Sequence, residues 1–364
     1  MRYQASQSTA CQLFSFVAAR RRAGILPMRA VLAIACGSTA WAIAIVLSSP
    51  PIALAAPATP APSTVIAQVP PGSAKVIYVN PVSGTDSQSA GESTQQPLHT
   101  IAYALGQASA GTVVQLAPGT YTTESGEVFP LVVPTGVMLK GDESTKGQTV
   151  AIIGGGNYIS RTEANQSVTV LAQQDSIISG VSITNPNIRG TGLWIESTNP
   201  QVRNNTFINS KREGVFVTGT ANPLIEGNVF TKNLGNGISI GQISKGTILN
   251  NLFQDTGFGI ALSESASPAI AQNRIVENVD GIVIAYSSAP VLRNNAIENN
   301  KRDGVVAVSN AQLDWGTEDS PGQNRIRNNG RYDFNYSSRS NTWISYGNEI
   351  DTINWEILPS VQKK

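Results

Sequence analysis

The sequence predicts an all-β protein, a right-handed parallel β-helix with 22–23 residues per coil and a short N-terminal capping helix. Three observations predict it. Pro200, Pro223, Gly246, Pro268 and Pro290 open five similar segments. Asn205, Asn228, Asn251, Asn273 and Asn295 follow five residues on, and Phe207, Phe230, Phe253, Ile275 and Ile297 two further. Gly214, Gly237, Gly259, Gly281 and Gly304 then recur at intervals of 23, 22, 22 and 23 residues, each ahead of a short apolar alternation such as Val215/Val217 or Ile238/Ile240.

A segment this short cannot bury a core alone, so it must stack on its neighbours. Strand residues alternate between faces, and equivalent residues on successive coils align in columns about 4.8 Å apart. The Val/Ile and Phe/Ile positions become interior ladders. The Asn column suits a tight turn, because Asn tolerates the left-handed conformation and stacked amides bond coil to coil. That makes it a structural ladder. Leucine-rich solenoids share the period but need a leucine framework that is missing here, and the Gly-Gly-x-Gly-x-Asp calcium repeat is absent.

Taken in chain order, residues 1–55 read as an export signal. Arg20, Arg21, Arg22 and Arg29 precede the apolar stretch Ala30 to Leu47, and Ala53-Leu54-Ala55 supplies a small–x–small cleavage pattern. Residues 56–74, with prolines at 57, 60, 62, 70 and 71, form a semi-rigid linker. Residues 75–150 are expected to hold the N-terminal cap, with helical spacing over His99 to Ala108, and the first coils. Residues 151–330 carry the repeats, and 331–364, with Trp343 and Trp355, form a C-terminal cap or tail. Both cysteines, Cys11 and Cys36, precede the cleavage point, so the mature chain has neither a disulfide nor a cysteine metal site. Removing the signal takes away five arginines and no acids, which turns 25 basic residues into 20 against 24 acidic, a net charge of −4. That balance excludes nucleic acid as a partner, since phosphate binding needs a basic face. The expected location is secreted or periplasmic, in the cell envelope, with no stable membrane span after cleavage.

Several motifs occur in order behind the linker: Tyr78-Val79-Asn80, Gly84-Thr85-Asp86, Gln96-Pro97-Leu98-His99-Thr100-Ile101 and the run Val113 to Tyr121. Gly126 to Leu131 and Gly136 to Glu143 follow. Together they resemble the domain-of-unknown-function family 1565, an opening module of pectin-lyase-like β-helices in secreted bacterial proteins. The resemblance covers about residues 76–150. It implies fold and compartment; it implies little about chemistry, because one fold hosts lyases, hydrolases, epimerases, esterases and adhesins.

Marks of the enzymes in that superfamily are missing. The only histidine is His99, in the predicted cap, no Asp-Asp pair occurs, and no local carboxylate cluster suits calcium. No motif implies a cofactor. Columns can still assemble a site that linear motifs hide. Asp280 and Asp303 precede repeat glycines on adjacent coils, which puts them about 5 Å apart. Carboxylates that close can split into an acid and a base. Lys211, Arg212, Lys301 and Arg302 lie near the same column and suit an acidic sugar. The competing reading is that Asp-Gly is an ordinary turn pair, neutralised by its basic neighbours. The outward strand positions run Trp194, Phe216, Ser239, Ala261, Val283, Val306, where a solvated face would be polar. Trp194 and Phe216 could stack on sugar rings or seat a partner. Alternatively the insertion around Trp315, or the tail with Trp343 and Trp355, lies across the stripe, and this internal packing is favoured.

Three functions follow: binding of a polysaccharide or cell-surface partner along one face; polysaccharide lysis or hydrolysis through Asp280 and Asp303, with Arg212 or Arg302 orienting substrate; or a structural, adhesin-like role in the envelope.

Overall fold

The computed structural model describes residues 74–338 and 345–354; the predicted signal, nearly all of the linker, Trp343 and Trp355 lie outside the described residues. Each coil gives one strand to each of three sheets. One coil reads Gln201–Arg203, Thr206–Ile208 and Val215–Thr218, and the next repeats it at Leu224–Glu226, Val229–Thr231 and Ile238–Ile240. Within each sheet a strand pairs in parallel with its equivalents one coil before and after. This is the right-handed parallel β-helix that the repeat predicts. One strand departs from the pattern: Gly156–Ser160 lies antiparallel to the start of Ala164–Ala172, a strand of the third sheet.

Inside the coil the aligned side chains form continuous ladders. Val202, Ile225, Ile248 and Ile270 line the first sheet, and Phe207, Phe230, Phe253 and Ile275 the second, all fully buried. The phenyl rings stack almost parallel, with centroids 4.9 and 4.6 Å apart. The repeat glycines are required by this packing. A Cβ on Gly237 would come within 2.6 Å of both the Phe253 ring and the Gly259 carbonyl oxygen, so the backbone can pass the ring only without a side chain.

Between the first and second sheets the left-handed residue is Asn204, Gly227, Asn250, Gln272 or Asn294, one position before the Asn column. This corrects the expectation that the column itself adopts that conformation. The column residues turn inward and are nearly wholly buried. Asn205 Nδ2 donates to Asn228 Oδ1 at 3.0 Å, and the same bond repeats from Asn228 to Asn251, Asn251 to Asn273 and Asn273 to Asn295. It continues to Asn324 and Asn348. Burial of so many amides is tolerable because each has partners on both sides.

The open ends of the core are covered. At the N-terminal end the helix Ile101–Gln107 lays Ile101, Ala104 and Leu105 on the first coils. Its first amides donate to Glu127, at 2.6 Å from Ile101 and 3.0 Å from Ala102. Burial pushes the Glu127 carboxyl up despite those bonds. At the C-terminal end Trp315 is fully buried, edge-on to Phe334 at 4.8 Å. The insertion therefore fills the core and does not cross the outward stripe, because its indole finds an apolar interior left open by the last coils.

Candidate functional site

The outward face of the third sheet carries the chemistry-bearing side chains. Its column runs Leu171, Trp194, Phe216, Ser239, Ala261, Val283, Val306 and Asn335 in strand register. A step occurs after Phe216, where large aromatic side chains give way to Ser239 and Ala261. The first part of the column is covered by the antiparallel hairpin, which folds back over the sheet as a flap. Tyr158 meets Trp194 edge-on at 6.2 Å, Thr162 Oγ1 lies 3.0 Å from Thr218 Oγ1, and Arg212 Nη1 donates to Gln166 Oε1 at 2.8 Å.

Glu196 staples the flap down. Its carboxylate accepts from Tyr158 Oη, Trp194 Nε1 and the backbone amides of Arg161 and Thr162, at 2.8 to 3.2 Å. Burial pushes this carboxyl up, but the bonds from Tyr158 and Trp194 outweigh it and hold the carboxyl below its ordinary value. Tyr158 is pushed up to about 12 by its own burial and by Glu196. At the flap tip Glu163 is half-buried. Its carboxyl is raised by desolvation and by Glu264, with Arg212 pulling the other way.

Beyond the flap the column continues in smaller side chains, Ser239, Ala261 and Val283, all buried. Along one edge, at the corner from the second sheet, stand Asn236, Phe258 and two guanidinium–carboxylate rungs. Arg302 grips Asp280 through Nε, at 2.8 Å, and Nη2. Arg331 grips Asp303 the same way, with Nε at 2.9 Å. Each carboxylate also accepts a backbone amide from the next coil, Asp303 N and Tyr332 N respectively. Asn335 Nδ2 adds a bond to Asp303 at 2.8 Å. The side chains of Asp280 and Asp303 are 1% and 0% exposed, those of Arg302 and Arg331 43% and 51%. Both forks use Nε and Nη2. Hydrogen bonding to the carboxylates raises both arginines further above their ordinary value. Along the opposite edge stand Gln242, Glu264 and Tyr286, each in a left-handed turn.

A sequence profile described as "Protein of unknown function (DUF1565)" matches residues 82–355, well over half of the chain. The protein belongs to the DUF1565 family. The match runs through the repeats as well as the opening module. No curated protein matches the chain in sequence. Among solved structures, the pectate lyase Pel9A aligns at 13% identity over 79% of this chain and 81% of its own, with a TM-score of 0.48. An alginate lyase from Paenibacillus sp. strain FPU-7 aligns at 12% identity over 70% of this chain and 96% of its own, with a TM-score of 0.46. The A-module of mannuronan C-5 epimerase AlgE4 from Azotobacter vinelandii aligns at 18% identity over 65% of this chain and 74% of its own, with a TM-score of 0.38.

In this DUF1565 chain Trp194 is 1% exposed and stacks on Phe216 at 4.5 Å and 5°. The stack runs along the coil axis beneath the flap, so Trp194 presents no ring face to solvent, and a sugar would find its face already taken. The cover over Trp194 is the flap, where the Trp315 insertion was one of the expected covers; the tail residues Trp343 and Trp355, the other, lie outside the described residues. Arg212 is bound to Glu213 and Gln166 and lies over the Phe216 ring at 5.3 Å. Lys301 pairs with Asp255 at 2.9 Å. Among the described residues no group of three or more His, Cys, Asp or Glu side chains is arranged to hold a metal. No helix among them is long and apolar enough to cross a membrane.

Two features escaped the sequence reading. Glu163 and Glu196 sit in or under a segment outside the repeat, so no column points to them. A second ladder does have a signal: Ser210, Asn233, Thr256, Asn278, Asn300 and Asn329 each lie five residues after the first Asn column. They bond coil to coil, for example Asn278 Nδ2 to Asn300 Oδ1 at 3.0 Å and Asn300 Nδ2 to Asn329 Oδ1 at 2.9 Å.

Proposed function

We propose that this protein is exported by residues 1–55 and binds an acidic polysaccharide along the edge of the third sheet that carries Arg302 and Arg331. The observation that carries the reading is the pair of rungs. Two guanidiniums on adjacent coils are held in place by buried carboxylates, while the arginine side chains themselves stay about half exposed. A pre-organised guanidinium binds an oxyanion with little further loss of side-chain freedom. Repetition at the coil spacing suits a polymer with charge on successive residues.

The same geometry favours binding over catalysis by Asp280 and Asp303. A general acid or nucleophile must reach its substrate, and each of these carboxylates is buried and engaged by a fork and a backbone amide. Carbohydrate-acting neighbours of the same fold agree with a glycan ligand without choosing one.

The test is calorimetric titration with polygalacturonate, its methyl ester and neutral dextran. Removing Arg302 alone would leave Asp280 buried and uncompensated, a cost of about 3–5 kcal/mol. The informative variant is therefore the neutral pair Arg302→Gln with Asp280→Asn. Polygalacturonate should bind, weaken with salt, and lose about tenfold in affinity in the double variant, roughly 1.4 kcal/mol. Equal binding of the acid, the ester and dextran, or no binding of any, would sink the proposal.

A further inference from the structure

We infer that Asn165 is the acceptor of an N-linked glycan, a modification site on the outer face of the flap. This goes beyond the polysaccharide-binding reading and rests only on its first part, export through residues 1–55, because oligosaccharide transfer to asparagine takes place on the outer side of the membrane. The acceptor sequence is Asn-x-Ser or Asn-x-Thr, with x other than proline. Three stretches of the chain satisfy it: Asn165-Gln166-Ser167, Asn204-Asn205-Thr206 and Asn335-Tyr336-Ser337. The fold leaves one of them open. Asn335 is half-buried and engaged at both ends of its amide, Nδ2 donating to Asp303 Oδ2 at 2.8 Å and Oδ1 accepting from Asn354 Nδ2 at 3.0 Å. Asn204 sits in a left-handed turn beside the buried ladder residue Asn205. The hydroxyl two positions on, Thr206 Oγ1, gives its proton to Lys146 O at 2.8 Å.

Asn165 differs on each count. It is exposed, and its amide bonds no other described residue. Ser167 Oγ accepts from Asn187 Nδ2 at 3.3 Å and so keeps its own proton. In the antiparallel pair Asn165 stands opposite Ile159, and Ser167 opposite Asn157. Paired residues share a face, and alternate ones lie on the other. Tyr158 and Gln166 take the inner face, Tyr158 against Trp194 and Gln166 buried. Asn165, Ser167 and Ile159 therefore turn outward. Ile159 is 76% exposed, a bare apolar side chain whose Cβ lies about 5 Å from that of Asn165 across the pair. A glycan on Asn165 would cover it, and a bulky, solubilising group suits an exposed apolar strand of this kind. The donor is a lipid-pyrophosphate-linked oligosaccharide. Asn165 Nδ2 attacks its anomeric carbon, a C–N bond forms, and the C–O bond to pyrophosphate breaks with its electron pair. The proton lost from the amide passes to a base of the transferase.

The test is tryptic glycopeptide mass spectrometry of the full chain recovered from the cells that make it. The expected result is an oligosaccharide on the peptide that begins after Arg161, and none on the peptides that hold Asn204 and Asn335. Asn165→Gln and Ser167→Ala should each abolish the added mass, and Ser167→Thr should keep it, with far-UV circular dichroism checking that every variant holds its fold. A chain cleaved after Ala55 but bare at Asn165 overturns the inference and leaves export standing, and so does sugar on Asn204 or Asn335 with Asn165 bare. A chain that keeps residues 1–55 and stays inside the cell overturns export, and the inference falls with it.

Discussion

Replacing Asn251 by alanine tests the amide ladder at a buried rung with neighbours on both sides. Asn251 is 3% exposed, and its Oδ1 accepts from Asn228 N at 2.9 Å and Asn228 Nδ2 at 3.0 Å. Its Nδ2 donates to Ile225 O at 2.9 Å and Asn273 Oδ1 at 3.0 Å. The neighbours are not equally harmed by its loss. Asn228 Nδ2 keeps Val202 O and Glu226 O, and Asn273 Oδ1 keeps the Asn251 backbone amide. The Asn228 backbone amide loses its side-chain acceptor inside the coil. An orphaned buried donor costs about 1–3 kcal/mol, and the void left by the amide adds roughly 1, so Asn251→Ala should cost about 2–4 kcal/mol. Asn348, the half-buried last rung, bonds Asn324 in the same way, but water can replace it, and Asn348→Ala should cost about 1 kcal/mol. Asn251→Asp keeps the shape and turns a donor into an acceptor facing Ile225 O and Asn273 Oδ1. It should be at least as damaging as alanine near neutrality. Burial beside two acceptors raises the introduced carboxyl's folded-state pKa, so stability should return as pH falls below it. Urea unfolding followed by far-UV circular dichroism measures all three. A cost below about 1 kcal/mol for Asn251→Ala, or one equal to Asn348→Ala, would refute the argument that enclosed rungs hold the coils together.

Two further expectations concern packing and the flap. Phe230→Ala removes the middle ring of the buried Phe207–Phe230–Phe253 stack and should cost about 3–5 kcal/mol in the same assay. Phe216→Ala, at a half-buried outward position, should cost clearly less, and equal losses would count against the ladder as the main core element. Glu196 has a folded pKa below its ordinary value, so it stabilises the closed flap above that ordinary value, and the contribution is lost as pH falls through the lower folded one. Amide protection over residues 156–168, corrected for the intrinsic pH dependence of exchange, should therefore fall on acidification. In Glu196→Gln the exchange should be faster near neutrality and lose this pH dependence; an unchanged profile would show that another group latches the flap.

Much of the fold is legible in the sequence because a solenoid repeats its local rules. A column in the alignment of segments is a column in space, so Phe207, Phe230 and Phe253 can be stacked on paper before any coordinates are seen. The candidate site is legible only in part, for the same reason. Asp280 and Asp303 fall on adjacent coils as their spacing requires, but each arginine grips the carboxylate one coil earlier, Arg302 taking Asp280 and Arg331 taking Asp303. Sequence proximity suggests a different pairing, Arg302 with Asp303. Arg331 lies beyond the insertion around Trp315 that breaks the period, and the column count stops short of it.

By itself, then, the sequence determined the period, the interior ladders, the capping helix and the family, since these rest on residue type at fixed spacing and on nearest-neighbour stacking. Tertiary structure alone decided what covers Trp194 and Phe216. The flap is a non-repeating segment whose position depends on where Glu196 and Thr218 come to lie on other coils, and no local pattern encodes that meeting. It decided as well that the aromatic end of the outward stripe is packed beneath the flap. The column loses its large side chains after Phe216 in the sequence itself, but only the structure shows the flap laid across the aromatic half.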